Sequence, residues 1–411
     1  MLHPDQAWRV IAGHCAPLPE EPVERRAAAG LVLARGLAAT VDVPAADVSA
    51  MDGYALAGPL PAGEPQTVDG VIAAGDPPGR VLARGGVARI MTGAPVPRGA
   101  DRVIPVELAT AGGPEGADPD DSSAGRDRSQ VVFHAEAAAG DHIRRRGEVL
   151  RIGDPLLPAG ARLTPGALAL LATHGHAAVS VHRAPSVAVL TTGDEVVPPE
   201  TEPGPGQLRD SHTDFLAAAG ASLGLRFQPL GIAPDRDDAL ALLVESGLQF
   251  DVLLLCGGVS KGEFDFVEGA LAAHGCRIEL DGVAIQPGSP LVFATHPGGI
   301  VFGLPGNPAS VMVTFWLFVR PALRRLMGID GGWWQGALPG VLAGPLPAAR
   351  DRDRFLPADL EIRDGVVRVT PYPSKGSHDL AAYAHGTALV RVRAGAAPAQ
   401  KGAACEVLPL V

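Results

Sequence analysis

Two short apolar runs, Val187–Leu190 and Val252–Cys256, stand out because neither alternates with polar positions. Runs of that length predict strands buried on both faces of a parallel sheet. Each passes directly into a Gly-containing loop, Thr191–Glu195 and Gly257–Asp265, and then into a helical pattern. Ligands on such sheets bind outside the carboxyl ends of the strands, so these loops are the expected centre of the site. Over Ser186–Gly328 the pattern predicts strands at 186–192, 226–232, 251–256 and near 281–285, 290–294 and 300–303. Helices are predicted at 210–223, 235–247, 265–274 and 307–327, the last with Asn307 as N-cap and Pro308 at its first position.

Before this segment, Pro4–Cys15 shows a helical pattern carrying Trp8, Ile11 and Ala12. Glu21–Arg35 shows a stronger one through Val23, Ala27, Leu31 and Ala34, with an acidic first turn and Gly36 as its stop. Val41–Glu107 changes to short β-type runs between Gly and Pro turns, the signature of a small all-β domain. Two polar segments, Ser49–Ala55 and Met91–Pro97, interrupt it, and Ala109–Ser129 reads as a flexible inserted loop. Pro165–His174 is helical and Val179–Val181 extended. Beyond Gly331, runs at Val366–Thr370, Ala388–Arg393 and Cys405–Leu408 predict a small β-barrel or sandwich.

At 411 residues the chain exceeds one core. The net charge of −11 is well mixed, with no basic stripe for nucleic acid and no polybasic membrane patch. An anionic substrate therefore needs local donors. The four cysteines, Cys15, Cys256, Cys276 and Cys405, are far apart and form no CxxC, which argues against a disulfide framework or zinc site and fits a reducing cytoplasm. Cys256, ending an apolar strand, reads as a core residue. No signal peptide or membrane-spanning run is expected.

Within Thr191-Thr192-Gly193-Asp194-Glu195, two hydroxyls, a permissive glycine and two carboxylates suit a phosphate and Mg²⁺, although an acidic helix cap has the same composition. In Gly257-Gly258-Val-Ser260-Lys261-Gly-Glu-Phe-Asp265, paired glycines admit a ligand to the backbone, Ser260 donates a hydrogen bond, Lys261 adds a point charge and Asp265 suits a metal or ribose. An ordinary strand–helix turn is the competing reading. Asp52 and Thr92 sit on tight turns in Ala-Met-Asp-Gly-Tyr and Met-Thr-Gly-Ala-Pro. Arg144–Arg146 is the densest basic cluster, suited to an oxyanion or to a solvated turn. His174 and His176 read as structural.

Seven segments, Ser49–Ala55, Arg89–Pro97, Ile143–Glu148, Val189–Glu195, Gly206–Asp210, Gly257–Asp265 and Gly303–Pro308, occur in the order found in the molybdopterin molybdenumtransferase family, which includes the bacterial MoeA proteins and the E domain of gephyrin. The chain resembles that family over nearly its whole length. The resemblance implies a multidomain α/β plus β fold: an elongated domain I at 1–40 and 142–184, an inserted β domain II at 41–141, a MogA-like α/β domain III at 185–328, and a C-terminal β-barrel domain IV at 329–411. It implies insertion of molybdate into adenylylated molybdopterin with release of AMP, assisted by Mg²⁺. It also implies a cytoplasmic homodimer with a cleft between the α/β domain of one subunit and the β domain of the other. A molybdopterin adenylyltransferase and a molybdoenzyme are the implied protein partners.

By motif, Asp52, Thr92, Arg144, Glu195, Asp235, Asp265, Pro305 and Pro308 match functional positions, with Gly306 between the two prolines; Glu195 and Asp265 match as metal ligands. Ser377 and Arg352 match molybdate-site positions. Two departures stand out. Gln286-Pro-Gly-Ser289-Pro290 replaces Lys-Pro-Gly-Lys-Pro, and Val149 replaces a carboxylate. Lys261, at a position often apolar in the family, returns one charge. The departures frame an alternative: a weakened paralogue that carries the pterin or prefers tungstate. A scaffolding role is the third reading.

Overall fold

The computed structural model describes residues 1–112, 130–234, 237–258 and 266–410. The chain divides into two compact units. Met1–Arg35, Ala159–Leu168 and Ala178–Val411 form the first, and Gly36–Pro158 with Ala169–Ala177 the second.

At the centre of the first unit is a six-stranded sheet, ordered Phe227–Ala233, Val187–Thr192, Val252–Cys256, Gly299–Leu304, Val292–His296, Arg277–Asp281. The first four strands are parallel, Val292–His296 runs antiparallel to them, and Arg277–Asp281 runs antiparallel to Val292–His296. The uninterrupted apolar runs have a direct cause. Val187, Val189, Val252 and Leu254 pack into one layer with Leu216 and Phe315. Ala188, Leu190, Leu253 and Leu255 pack into the other with Leu240, Val244 and Leu271. Successive side chains of a strand point to opposite faces, so both layers demand apolar residues. From Val187–Thr192 the chain moves first to Phe227–Ala233 on one side and then to Val252–Cys256 on the other. The order therefore reverses between the two strands whose loops carry the expected site, the position at which such sheets bind ligands.

The C-terminal region is a closed barrel. Asp353–Arg363, Val366–Pro371, Leu338–Leu342, Ala404–Pro409 and Ala388–Val392 pair in a ring, closed by the pairing of the first and last. Ile285–Gln286 joins its rim alongside Asp353–Arg354. Within the second unit, a six-stranded sheet runs Arg102–Pro105, Gly53–Leu56, Val87–Ile90, Pro65–Ile72, Gln130–Phe133, Ala109–Gly112.

Several expectations are corrected. Glu21–Arg35 is not a helix: Glu20–Glu24 is a strand antiparallel to Ala178–His182, followed by a 3-10 turn at Arg25–Ala28. Gly36 accordingly stops no helix. Pairing with a strand more than 150 residues away overrides the local helical spacing. The strand expected near 281–285 lies at Arg277–Asp281, and Ile285–Gln286 serves the barrel instead. The helix at 307–327 continues through Pro308–Thr314 and Arg320–Leu326 with a π turn at Phe315–Val319. Asn307 occupies its N-cap position, but the side chain makes no capping bond. Gly53–Leu56, read as part of a polar interruption, is a buried strand. Ala109–Gly112, read as loop, pairs with Gln130–Phe133; the rest of the expected loop, 113–129, lies outside the described residues.

Candidate active site

In the first unit the loops after Val187–Thr192 and Val252–Cys256 meet at the sheet's carboxyl edge. Gly257 donates its N–H to the carbonyl of Leu304 at 3.1 Å. Its φ is +97°, and a Cβ there would fall 2.7 Å from the carbonyl oxygen of Thr192 and 2.9 Å from its Oγ1. Only glycine fits a left-handed backbone pressed against another chain segment. A Cβ on Gly306 would stand 3.7 Å from the Gly257 Cα, so the Pro305–Pro308 turn touches the same loop. Gly193 (φ +139°) and Gly258 (φ +65°) continue the run of permissive positions.

Thr192 is buried, and its Oγ1 has no hydrogen-bond partner among the described residues. A buried hydroxyl left unpaired is costly, and at a strand end such a group is able to bond a ligand. Thr191 beside it is satisfied: its Oγ1 donates to Asp210 Oδ2 at 3.2 Å. Asp210, buried, also accepts from the Thr213 hydroxyl at 2.6 Å and the His212 N–H at 2.8 Å, which anchors the start of helix His212–Ser222. Burial pushes the His212 imidazole below its usual pKa, against the opposing pulls of Asp210 and the Gly306 backbone. The Asp210 anchor was missed as a role; the Gly206–Asp210 motif was the only signal for it.

A cavity of about 550 Å³ opens beside Gly193 and Asp194, walled by Glu200, Asp210, Asp214, Gly231 and Pro234 among others. Among the described residues, four carboxylates and no lysine or arginine line it, a wall that suits hydrogen-bond donors or a cation better than bare phosphate. Asp194 and Glu195 are exposed on the loop. Among the described residues no three His, Cys, Asp or Glu side chains gather into a metal-ligand set. Asp235, Ser260, Lys261 and Asp265 lie outside the described residues.

A second cavity, about 220 Å³, has the opposite electrostatics. Gln286–Pro290, Pro305, Asn307, Ser310, Arg352, Arg354, Ser374, Ser377 and Tyr383 contribute to its wall, which includes no carboxylate among the described residues. The structure thus unites Pro305, Arg352 and Ser377 with the two departure positions, Gln286 and Ser289. The carbonyl of Ser377 accepts from the Ala309 N–H at 3.1 Å, tying the barrel segment to the first turn of helix Pro308–Thr314.

In the second unit Asp52 and Thr92 come together. Asp52 Oδ1 accepts from the Thr92 N–H at 2.6 Å and from its Oγ1 at 2.7 Å. These two bonds, helped by Arg89, hold the Asp52 carboxyl below its ordinary pKa. The basic cluster is divided in use: Arg145 pairs with Asp47 at 2.6 Å and Arg146 with Asp42 at 2.5 Å. Arg144 is exposed, with no ion-pair partner among the described residues. His174 is buried, and its Nδ1 accepts from the Thr40 N–H at 3.2 Å. Cys256 is fully buried, and burial pushes its thiol far up.

Three family models match consecutive parts of the chain: MoeA N-terminal region (domain I and II) over residues 2–175, probable molybdopterin binding domain over 188–325, and MoeA C-terminal region (domain IV) over 339–410. The chain is 34% identical to the molybdopterin molybdenumtransferase of Nostoc sp. over 368 residues, covering 87% of this chain and 80% of that protein. It is 31% identical to that of Bacillus subtilis, covering 92% and 86%. The molybdopterin biosynthesis MoeA protein from Pyrococcus horikoshii superposes with a TM-score of 0.80 at 28% identity, over 100% of this chain and 99% of that one. Matched along nearly all of its length in sequence and in fold, this chain belongs to the molybdopterin molybdenumtransferase family.

Proposed function

We propose that this protein inserts molybdate into adenylylated molybdopterin and releases AMP, yielding molybdenum-loaded molybdopterin for molybdenum cofactor biosynthesis. The observation that carries the reading is the cavity uniting Gln286–Pro290, Pro305, Arg352 and Ser377, with no carboxylate among its described lining residues, placed beside the glycine loops at the sheet's switch point. A small oxyanion needs such a concentration of donors in a chain whose net charge is −11. Arg352 and Ser377 hold the molybdate. The glycine backbone at Gly193, Gly257, Gly258 and Gly306 allows close approach of the adenylylated pterin, with Thr192 offering its free hydroxyl, and Pro305 and Pro308 fixing the turn. Asp235 and Ser260 complete the pterin site, and in the second unit Arg144 presents an exposed guanidinium with no ion-pair partner among the described residues. Asp52, ionised and oriented by Thr92, serves as a proton acceptor, and Lys261 adds positive charge.

Asp194 and Glu195 are hard oxygen donors exposed at the strand end, a set that fits Mg²⁺, which takes one or two carboxylates and keeps several waters. Glu195 with Asp265 would hold it, and the ion would neutralise phosphate charge. The relatives' names favour the transferase over a carrier without turnover. No helix among the described residues is long and apolar enough to cross a membrane; a cytoplasmic homodimer, receiving substrate from a molybdopterin adenylyltransferase and serving a molybdoenzyme, completes the proposal. The four-domain division at 1–40 with 142–184, 41–141, 185–328 and 329–411 belongs to it, and limited proteolysis tests those boundaries. Sedimentation tests the dimer. Molybdate-dependent AMP release tests the function, and its loss in Arg352→Gln together with Ser377→Ala tests the pocket.

A further inference from the structure

The strand Asp353–Arg363 reaches the second cavity through the residues at its entry, and they alternate. Arg352, Arg354 and Leu356 line the cavity. Asp353, between them, is buried and turns away to pair with Arg391, accepting from its Nε at 2.8 Å. Side chains alternate across a strand, so the pairing turns the carboxylate between the two arginines away from the pocket and leaves both guanidinium groups on it. We propose that Arg354 is the second cationic anchor of this pocket, so that a tetrahedral dianion is gripped between two arginines where the described lining residues include no lysine. The assignment rests on the oxyanion reading of the cavity and names how this chain meets its charge requirement.

Three observations support it. Arg354 lies in direct register with Gln286 in the parallel pair that joins the rim segment to the barrel. Paired positions on adjacent strands share a face, so a cation at 354 serves the ground that position 286 borders. Second, among the described residues Arg354 spends one donor: its Nη1 bonds the carbonyl of Ala348 at 2.9 Å. That contact fixes the guanidinium, whose fork carries five N–H donors, and leaves others for a ligand. Third, Ser289 offers no substitute. Its Oγ lies 3.0 Å from the carbonyl of Val283 and 2.8 Å from Met1 Sδ, so its single proton is committed away from the cavity. Among the described residues Arg352 pairs with the exposed Asp351, at 3.5 Å, a surface contact that leaves its charge available.

The test is calorimetric titration of molybdate, with sulfate and the monoanion perchlorate for comparison, into the full chain and its variants. Loss of one charge-assisted contact predicts that Arg354→Gln weakens molybdate roughly 10- to 100-fold while perchlorate changes little. Arg354→Lys should retain binding within about 5-fold, since the point charge remains although the fork is lost. Because 286 and 354 are register neighbours, Gln286→Lys added to Arg354→Gln should recover most of the loss, which a purely structural role for Arg354 would not allow. Should Arg354→Gln fail to fold, Gln286→Lys alone decides: a third cation should tighten molybdate several-fold, about 1 kcal/mol by the affinity relation, and unchanged binding overturns the proposal. Arg354→Gln binding within about 2-fold of the parent, with Arg352→Gln binding lost, also overturns it and leaves the pocket standing. Absence of molybdate binding in the parent chain overturns the pocket's reading and the proposal together.

Discussion

Gly257→Ala is the sharpest local perturbation of the site. The backbone there has φ +97°, and the new methyl would sit 2.7 Å from the Thr192 carbonyl oxygen and 2.9 Å from its Oγ1. Neither neighbour is the free end of a flexible side chain: one is backbone, and the other belongs to a buried strand residue. A left-handed conformation costs an L-residue about 1–2 kcal/mol, and relief of the contact adds roughly as much again. The expected destabilisation is about 2–4 kcal/mol, or a fall of roughly 5–15 °C in Tm for a unit of this size. Gly306→Ala is the matched control. Its φ is not left-handed, and its methyl meets only the Gly257 Cα at an ordinary 3.7 Å, so Tm should stay within about 2 °C. Because that methyl projects into the space between the two turns, AMP release should nevertheless fall. Differential scanning calorimetry and single-turnover AMP release on both variants separate the effects. Gly257→Ala with unchanged Tm and unchanged release would refute the argument that the two loops meet at van der Waals distance.

Asp251 should control acid stability at the sheet's opposite edge. Burial opposes its ionisation, but Arg183 grips both oxygens at 2.7 and 2.8 Å and Ser186 donates twice, which lowers the pKa to about 2. A depressed carboxylate stabilises the fold above its unfolded pKa and loses that contribution as pH falls through the folded value. Asp251→Asn should therefore cost roughly 2 kcal/mol at pH 7 and little at pH 2, read from urea midpoints across that range. In the barrel, Asp353 is 2% exposed and pairs with Arg391, itself 10% exposed and stacked on Trp333. Asp353→Ala leaves the buried Arg391 with only the longer contact to Glu406, at 3.7 Å, among the described residues and should destabilise by up to about 3–5 kcal/mol in denaturant titrations. Asp52→Asn, at an exposed turn, should leave Tm within about 2 °C while abolishing AMP release; full activity would remove Asp52 from the site. Cys15 and Cys256 are buried, their thiols pushed up to about 12 and beyond. Native protein should show neither reacting with a thiol reagent at neutral pH, and rapid labelling of either would contradict its burial.

What was legible in the sequence depended on range. Val187–Thr192 and Val252–Cys256 were readable because burial on both faces writes itself into consecutive residues. The same logic hid Glu20–Glu24, where alternating exposure on a two-stranded ribbon leaves little apolar signal and the partner is remote in sequence. Barrel closure, which needs Asp353–Arg363 to pair at both edges, has no local signature at all. The glycine turns of the first unit and the Asp52–Thr92 pair of the second were legible through their motifs. Arg354 was not, because an arginine entering a strand looks like any solvated charge until the neighbouring Asp353 is seen to be taken by Arg391. The unsatisfied Thr192 hydroxyl and the acid-lined cavity beside Asp194 likewise exist only once distant segments are packed together.

The central claim is tested most directly by single-turnover AMP release. The intact protein is mixed with adenylylated molybdopterin and Mg²⁺, with and without molybdate, and both AMP and pterin-bound molybdenum are measured. The account predicts AMP release that requires molybdate and matches the molybdenum retained on the pterin. Tight pterin binding with no molybdate-dependent release would contradict it.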